Sequence, residues 1–208
     1  MRHATVRSAA AIRIGRLRLK GTDRDVDEAV DAALTKAGFQ VVPLDDEFRK
    51  KWDQAKDDGN TMAAAGAWMT DQQYLLKSGI SGRTKAAILL GRVKYPSSYR
   101  SALARRDEWS ETLHDVFRHV DFVALPTLQG PPPAIPVNLK IGILEAFMLN
   151  LQNTAPVNFA GNPALAVPVP LRHEKVRLTS LQLVGPPRSE AGLLNAGRLV
   201  EAAVKKKK

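Results

Sequence analysis

The last third of the chain constrains the fold most, because it divides into short apolar segments separated by prolines, glycines and polar residues. Within residues 153 to 171, NTAPVNFAGNPALAVPVPL, a polar Gly- and Pro-rich loop leads into the apolar run ALAV, which Pro163 and Pro168 bracket. Gly161 can take a positive φ in this loop, and Asn158 can hydrogen-bond the irregular main chain around it. The pattern predicts a loop followed by a short strand.

A second strand and a helix complete this region. In the run LTSLQLV, Leu181 and Leu183 are expected to face one side of a strand, and Ser180 and Gln182 the other. Ser189 then stands where a helix N-cap is expected, before a run with helical periodicity. The order of elements is therefore strand, strand, capped helix.

The beginning of the chain has the pattern of a strand, a helix and a second strand. We expect residues 12 to 19 to form the first strand, and Thr22 to be the N-cap of a helix whose apolar residues recur every three or four positions. Gly38 ends that helix, and a strand limited by Pro43 follows over residues 39 to 44. Short connections of this kind predict a parallel crossover, so the fold class is α/β.

Length and composition exclude several classes of protein. With 208 residues, 44% of them apolar, the chain can bury a substantial core. It has no cysteine, which excludes disulfides and thiolate chemistry. No apolar run approaches the roughly 18 to 20 residues that span a bilayer, so we expect no membrane partner and a soluble, cytoplasmic protein. The basic N-terminus leaves organellar targeting open.

Residues 46 to 120 read as mainly helical, and one part of them is strongly basic. Apolar side chains at helical spacing, such as Phe48 and Trp52, are expected to pack in the core and not to bind a cofactor. The whole chain has a net charge of +10. Between Gln72 and Arg106 it has no acidic residue. The cations there are Lys77, Arg83, Lys85, Arg92, Lys94, Arg100, Arg105 and Arg106, among Tyr74, Tyr95 and Tyr99. Such a segment can bind nucleic acid, but without a recognisable binding motif a solvated or covered helix face is favoured.

Two other groups of residues have the types needed for chemistry but not the pattern. Ser78, Ser81 and Lys85 bring hydroxyls and an amine together, yet a polar turn between helices explains that segment more simply than a catalytic pair. His114 and His119 are five residues apart, which places them on different faces of a helix and not over one metal ion. We therefore expect no metal site.

A buried strand over residues 122 to 125 leads to the most promising loop. Pro126 removes a backbone donor and is expected to end this strand, and Thr127 opens a proline-rich loop. In open α/β sheets ligands bind beyond the carboxyl ends of parallel strands. Thr127 and the loop after it are therefore candidates for lining a pocket, although a rigid surface connection explains them equally well.

The motifs of the last ninety residues, taken in order, resemble the amidase signature family. An Asp-x-x-x-x-Pro-Thr strand end is followed by Asn-Thr-x-Pro-x-Asn-x-x-Gly-x-Pro-Ala, a Leu-Gln-Leu strand and a Ser-Glu-x-x-Leu-Leu helix. The matching positions are Asp121, Pro126, Thr127, Asn153, Thr154, Pro156, Asn158, Gly161, Pro163, Ala164, 181 to 183 and 189 to 194. The beginning of the chain, through Ile14, Gly15 and the Val-Val-x-Leu run, is similar to the start of that family's later half.

This resemblance implies part of a mixed β-sheet flanked by helices, corresponding to the C-terminal half of the family's α/β/α fold. Family members hydrolyse amide C–N bonds with a Ser, cis-Ser and Lys triad set in a Gly- and Ser-rich run, and no Gly-Gly-Ser-Ser-Gly-type run occurs in these 208 residues. No catalytic residue is therefore carried over, and no cofactor is implied. The substrate-pocket candidates are Thr127, Asn158 and Gly161.

Three hypotheses for function follow. The chain is the C-terminal portion of an amidase-family hydrolase, inactive alone, or a catalytically dead relative that serves as a binding or structural protein. A basic nucleic-acid-binding module is the least favoured. The expected partners are a small-molecule amide only when the missing half is supplied, and a complementary chain or a second copy, because apolar faces and sheet edges would be uncovered. The expected domains are a basic lead-in at 1 to 11, a partial amidase-like domain at 12 to 204, and a lysine tail at 205 to 208.

Overall fold

The computed structural model describes residues 8 to 130, 152 to 172 and 177 to 205. Most of the predicted basic lead-in and all but Lys205 of the predicted lysine tail lie outside these residues. The chain divides into two compact units. The first consists of Met1–Lys50, Glu111–Pro131 and Gly161–Lys208, and the second of Lys51–Ser110 and Pro132–Ala160.

The described residues form five strands and six α-helices, together with two single turns of 3-10 helix. The strands are β1 Arg13–Arg16, β2 Gln40–Pro43, β3 Phe122–Pro126, β4 Ala164–Pro170 and β5 Leu178–Val184. The helices are α1 Arg24–Ala37, α2 Asp46–Asp71, α3 Gly82–Ala104, α4 Arg106–Phe117, α5 Ala155–Ala160 and α6 Glu190–Lys205. The 3-10 turns are Ala9–Ala11 and Gln72–Tyr74.

The first unit contains one mixed sheet with the strand order β2-β1-β3-β5-β4. β1 is parallel to β2 and to β3, whereas β5 is antiparallel to β3 and to β4. The crossover predicted from the beginning of the chain is present, because α1 connects the parallel neighbours β1 and β2. The α/β fold class is confirmed.

One face of this sheet forms a continuous apolar core with α1 and α6. Its members include Ile14 of β1, Val30 of α1, Phe122 of β3 and Val200 of α6, all buried. Leu181 and Leu183 of β5 belong to the same core, as their alternation with Ser180 and Gln182 predicts. The other face of the sheet carries the alternate residues of each strand, which is the side where the polar residues of β5 lie.

The start of α1 differs from the prediction by one residue. Asp23, and not Thr22, is the N-cap, and its carboxylate accepts hydrogen bonds from the backbone N–H groups of Asp25 and Val26 at 2.8 and 3.4 Å. A carboxylate is the better cap here because its full charge also interacts with the positive end of the helix dipole. Gly38 ends the helix with φ 79°, as predicted.

Proline ends two of the strands where the sequence suggests, but not the third. β2 ends at Pro43 and β3 at Pro126, whereas β4 continues through Pro168 to Pro170. Because β4 is the outermost strand of the described sheet, a missing N–H that faces away from β5 costs no ladder hydrogen bond. At the C-terminal helix, Ser189 does precede α6, but its hydroxyl is buried without a hydrogen-bond partner in the described structure.

The described residues of the second unit are mainly helical. Gly91 of α3 lies so close to Ala64 and Trp68 of α2 that a Cβ atom at this position would overlap the Ala64 carbonyl. Trp52 and Trp109 meet edge to face with ring centroids 5.7 Å apart, which confirms that the predicted aromatic stripe packs in the core at this point. Of the helices in the described ranges, none is both long enough and apolar enough to cross a bilayer.

Candidate functional site

The carboxyl ends of β1, β2, β3 and β4 lie along one edge of the sheet in the first unit, because these strands share one direction. Thr127 follows β3 at this edge. Its N–H donates to the Ser180 carbonyl at 2.8 Å, and its hydroxyl donates to the Ser180 hydroxyl at 2.9 Å. This double contact fixes a pair of hydroxyl groups at the position where α/β sheets bind ligands.

A second contact joins the loops that follow β1 and β3. The Gln129 side chain donates to the Lys20 carbonyl at 3.2 Å, and the Gln129 carbonyl accepts from the Asp23 N–H at 2.7 Å. The residue that caps α1 is therefore bonded to the loop that begins with Thr127. We call Thr127, Ser180, Gln129 and Lys20 the carboxyl-end cluster.

Arg16 is a charged group at the end of β1 that sequence reasoning did not select. Only 3% of its side chain is exposed, and it donates to Asp27 at 2.5 Å and Asp31 at 2.8 Å, both on α1. Two carboxylates therefore neutralise the buried guanidinium. This network attaches β1 to α1 and leaves Arg16 with a structural role.

Gly161 lies at the opposite edge of the sheet from Thr127. It precedes β4, whose first residue Ala164 is level with the beginning of β3, whereas Thr127 follows the end of β3. Gly161 has φ 76°, so the predicted positive φ is present. The turn is held by Asn162, whose amide donates to the Gly185 carbonyl at 2.8 Å, a contact that the sequence pattern did not indicate. The structure does not bring Thr127 and Gly161 together.

Asn158 belongs to the second unit, where it lies in α5 with its side chain exposed. Its amide makes no hydrogen bond to the main chain in the described structure, contrary to expectation, because the segment is helical and satisfies its own backbone. α5 is held through two of its carbonyls. The Trp109 indole N–H donates to Pro156 O at 2.8 Å, and Arg106 Nε donates to Phe159 O at 2.8 Å.

Several other residues with chemical potential have structural partners. Ser81 caps α3, because its hydroxyl accepts from the Thr84 N–H at 3.1 Å. Arg105 pairs with Asp58 at 2.6 Å, so Arg105 and Arg106 are two cations of the basic segment whose positions are explained by packing. Within the described ranges no cluster of three or more His, Asp or Glu side chains could hold a metal ion.

The carboxyl-end cluster can orient a polar molecule but has no evident means of attacking a carbonyl. Thr127 donates to Ser180, which leaves the Ser180 proton free to donate onward. A nucleophilic serine needs a base within hydrogen-bond reach, and the hydrogen bonds of the described residues pair Ser180 with Thr127 instead. Orientation and binding are the functions that this geometry supports.

Comparison with known proteins places these observations in a family context. The family model described as Amidase matches residues 1–194. A glutamyl-tRNA(Gln) amidotransferase subunit of Chloroflexus aurantiacus is 36% identical over 140 residues, covering 64% of this chain and 28% of that protein. The corresponding subunit of Ehrlichia canis is 30% identical over 138 residues, covering 63% of this chain and 28% of the relative.

Solved structures share the fold at low sequence identity. A chain of a vestigial protein complex, described as revealing the evolutionary origins of an s-triazine catabolic enzyme, has a TM-score of 0.76 at 21% identity. The glutamyl-tRNA(Gln) amidotransferase subunit of Thermotoga maritima has a TM-score of 0.70 at 15% identity. The matches cover 94% and 97% of this chain but only 44% of each of those chains. The chain thus spans less than half the length of the structures that it resembles.

Proposed function

Because this chain belongs to the amidase signature family, we propose that it is the C-terminal portion of a hydrolase that acts on amide C–N bonds. In the complete enzyme the resemblance implies acyl transfer to a serine, with a lysine as the ultimate base and a cis-serine as the relay. The chain itself supplies scaffold and substrate-side surface. Without the segment that carries the triad it does not turn over substrate.

One observation carries this proposal. The fold of the chain matches solved structures over 94% of its own length and over 44% of theirs, so it corresponds to a part of the family's fold. The sequence agrees, because no Gly-Gly-Ser-Ser-Gly-type run occurs in the 208 residues. A scaffold that lacks its nucleophile binds or orients a substrate without cleaving it.

The three substrate-pocket candidates take different places in this proposal. Thr127 is the strongest, since it lies at the carboxyl edge of the sheet and is positioned by Ser180. Asn158 is exposed on α5 and is available to a substrate or to a complementary segment. Gly161 shapes the turn before β4 through its positive φ.

The proposal is tested by assaying amide hydrolysis with and without the missing segment. The purified chain is compared with a polypeptide extended by the coding sequence upstream of Met1, if that sequence encodes a Gly- and Ser-rich run, using a simple carboxamide as substrate. We expect ammonia release from the extended polypeptide only, and its loss when the serine of that run is replaced by alanine. Turnover by the 208-residue chain alone, abolished by replacing one of its own serines, would overturn the proposal.

A second candidate function is that of a catalytically inactive protein that binds another chain. The match to a component of a vestigial protein complex favours it. In that case, no extended polypeptide bearing a Gly- and Ser-rich run exists, and the chain is recovered from its native source bound to a partner chain. Isolation of the chain in a stable assembly that hydrolyses no amide would decide for this candidate over the first.

A further inference from the structure

The hydrogen bond between the hydroxyls of Thr127 and Ser180 runs in one direction. Thr127 donates its single hydroxyl proton to the Ser180 oxygen, 2.9 Å away. Within the described ranges, neither hydroxyl makes a further hydrogen bond. Towards a ligand, Thr127 can therefore only accept a hydrogen bond, whereas Ser180 still has its own proton to donate.

The main chain holds these two hydroxyls side by side. The Thr127 N–H donates to the Ser180 carbonyl at 2.8 Å, which continues the antiparallel pairing of β3 and β5 one residue beyond Pro126. Residues directly opposite in such a pair have side chains on the same face of the sheet. That face is the one away from the apolar core, because Leu181, the next residue of β5, belongs to the core. The polarity of the pair is set within the first unit, whatever else packs nearby.

The positions next to this pair on the same face are uncharged. Pro168 of β4 is directly opposite Ser180, and Leu178 and Gln182 lie two residues away from it along β5. A carboxylate only accepts hydrogen bonds, so it would meet one donor and the lone pairs of Thr127, without a cation at these positions to compensate. An ammonium group only donates and could use Thr127 alone. The pair therefore matches a neutral group with one acceptor and one donor.

A primary carboxamide is such a group. Its C=O bond and one of its N–H bonds point to the same side, so its oxygen can accept from Ser180 while its N–H donates to Thr127. In a trans secondary amide, such as a peptide bond, the N–H and C=O bonds point to opposite sides and cannot engage both hydroxyls at once. We propose that Thr127 and Ser180 bind the primary carboxamide group of the substrate. This inference rests on the proposed function and adds to it the class of amide.

Binding of small carboxamides to the 208-residue chain tests the inference. The chain is titrated with four compounds of similar shape, and their dissociation constants are obtained from the nuclear magnetic resonance shifts of the backbone N–H groups of residues 127 and 180. Benzamide should bind about fivefold more tightly than acetophenone, benzoate or N-methylbenzamide, because each of these can form only one of the two hydrogen bonds. Absence of a benzamide response, or equal binding by acetophenone or N-methylbenzamide, would overturn the proposal.

Two variants and a matched control assign the preference to the hydroxyl pair. Thr127→Val and Ser180→Ala should each abolish the preference for benzamide, since a single hydroxyl cannot face both ends of the amide group. Thr179→Val removes a neighbouring hydroxyl on the other face of β5 and should leave the preference unchanged. Circular dichroism shows whether each variant is folded. A preference that survives in both folded variants would contradict the assignment.

The polypeptide extended by the upstream segment separates this inference from the proposed function. In it, Ser180→Ala should raise the KM for benzamide about fivefold and change kcat less than about twofold, because the contact binds ground state and transition state alike. Turnover that does not respond to Ser180→Ala would overturn the inference and leave the proposed function standing. So would an extended polypeptide in which benzamide no longer shifts residues 127 and 180, because an Asn or Gln carboxamide of the protein itself would then occupy the pair. Absence of turnover, with the benzamide preference of the shorter chain retained, would overturn only the proposed function.

Discussion

Arg105 binds Asp58 through a two-pronged contact between the end of α3 and the middle of α2. Arg105 Nε lies 2.8 Å from Asp58 Oδ2, and Arg105 Nη2 lies 2.6 Å from Asp58 Oδ1. The Gln54 amide donates a further hydrogen bond to Asp58 Oδ1 at 3.3 Å. The Asp58 side chain is 5% exposed and the Arg105 side chain 41%, so water can reach Arg105 far more easily than Asp58 if the contact is broken.

Removing Arg105 should therefore destabilise the protein more than removing Asp58. Arg105→Ala leaves a buried carboxylate without its cation and should lower the free energy of unfolding by about 3 kcal/mol. Asp58→Ala leaves a guanidinium that water can reach and should cost about 2 kcal/mol. Urea unfolding measures both. Arg118→Ala, which breaks an exposed pair with Asp115, is the control and should change stability by less than about 0.5 kcal/mol.

Gly91 should tolerate no side chain. A Cβ atom added at Gly91 would overlap the Ala64 carbonyl oxygen and would lie 2.8 Å from the Trp68 Cβ atom. Gly91→Ala would push α3 away from α2 and should lower the free energy of unfolding by about 2 kcal/mol.

Gly66, in the interior of α2, is the matched control for Gly91, since a Cβ atom there meets no other atom within 4 Å. Gly66→Ala should stabilise the protein by about 0.5 to 1 kcal/mol through helix propensity. Thermal unfolding of both variants tests the pair. Equal effects of the two substitutions would show that the helices are not held at the distance described.

Lys56 should make stability depend on pH in the alkaline range. Partial burial holds its pKa below the ordinary 10.5, against the opposing effect of Asp53 and Asp57. Between the lowered pKa and 10.5 the unfolded chain binds more protons than the native chain, so this group adds stability as the pH rises through that window.

The variant Lys56→Met isolates this contribution. It should be the more stable protein near neutral pH, because it no longer carries the cost of a partly buried ammonium group. The difference in the free energy of unfolding between the variant and the unchanged chain should narrow as the pH approaches 10.5. A difference that stays constant across that range would contradict the assignment.

The hydrogen bond between Thr127 and Ser180 should be measurable as a coupling. Thr127→Val and Ser180→Ala each remove one hydroxyl of the 2.9 Å contact and should each cost about 1 kcal/mol. A double-mutant cycle should give a coupling energy of about 0.5 to 1 kcal/mol. Additive effects would mean that the two hydroxyls do not interact, and that Thr127 is positioned by its backbone alone.

Element types were predictable from the sequence because local pattern determines them. The strand, helix, strand order at the beginning, the capping role of Gly38 and the alternation of Leu181 and Leu183 follow from periodicity and from the conformations that glycine allows. Element ends were less predictable. Asp23, and not Thr22, caps α1, because the geometry of the turn decides which side chain reaches the free N–H groups. Pro168 does not end β4, because β4 is the outermost strand of the described sheet.

The carboxyl-end cluster was only partly predictable. Thr127 could be selected because a buried strand ends beside it, whereas its partner Ser180 is 53 residues away and no local signal connects the two. For Arg105 and Arg106 the sequence suggested a shared role that the structure does not support. Composition groups them with a basic surface, but in the structure each has a specific acceptor on another element.

By itself the sequence determined the class of fold, the order of the elements, and the absence of a Gly- and Ser-rich nucleophile run from these residues, since each depends on neighbouring residues or on composition. Only the tertiary structure decided which of these residues meet. It placed Thr127 and Gly161 at opposite edges of one sheet, paired Arg105 with Asp58, and brought Ser180 to Thr127. Contacts between distant residues depend on strand order and helix packing, which arise when the whole chain buries its apolar surface.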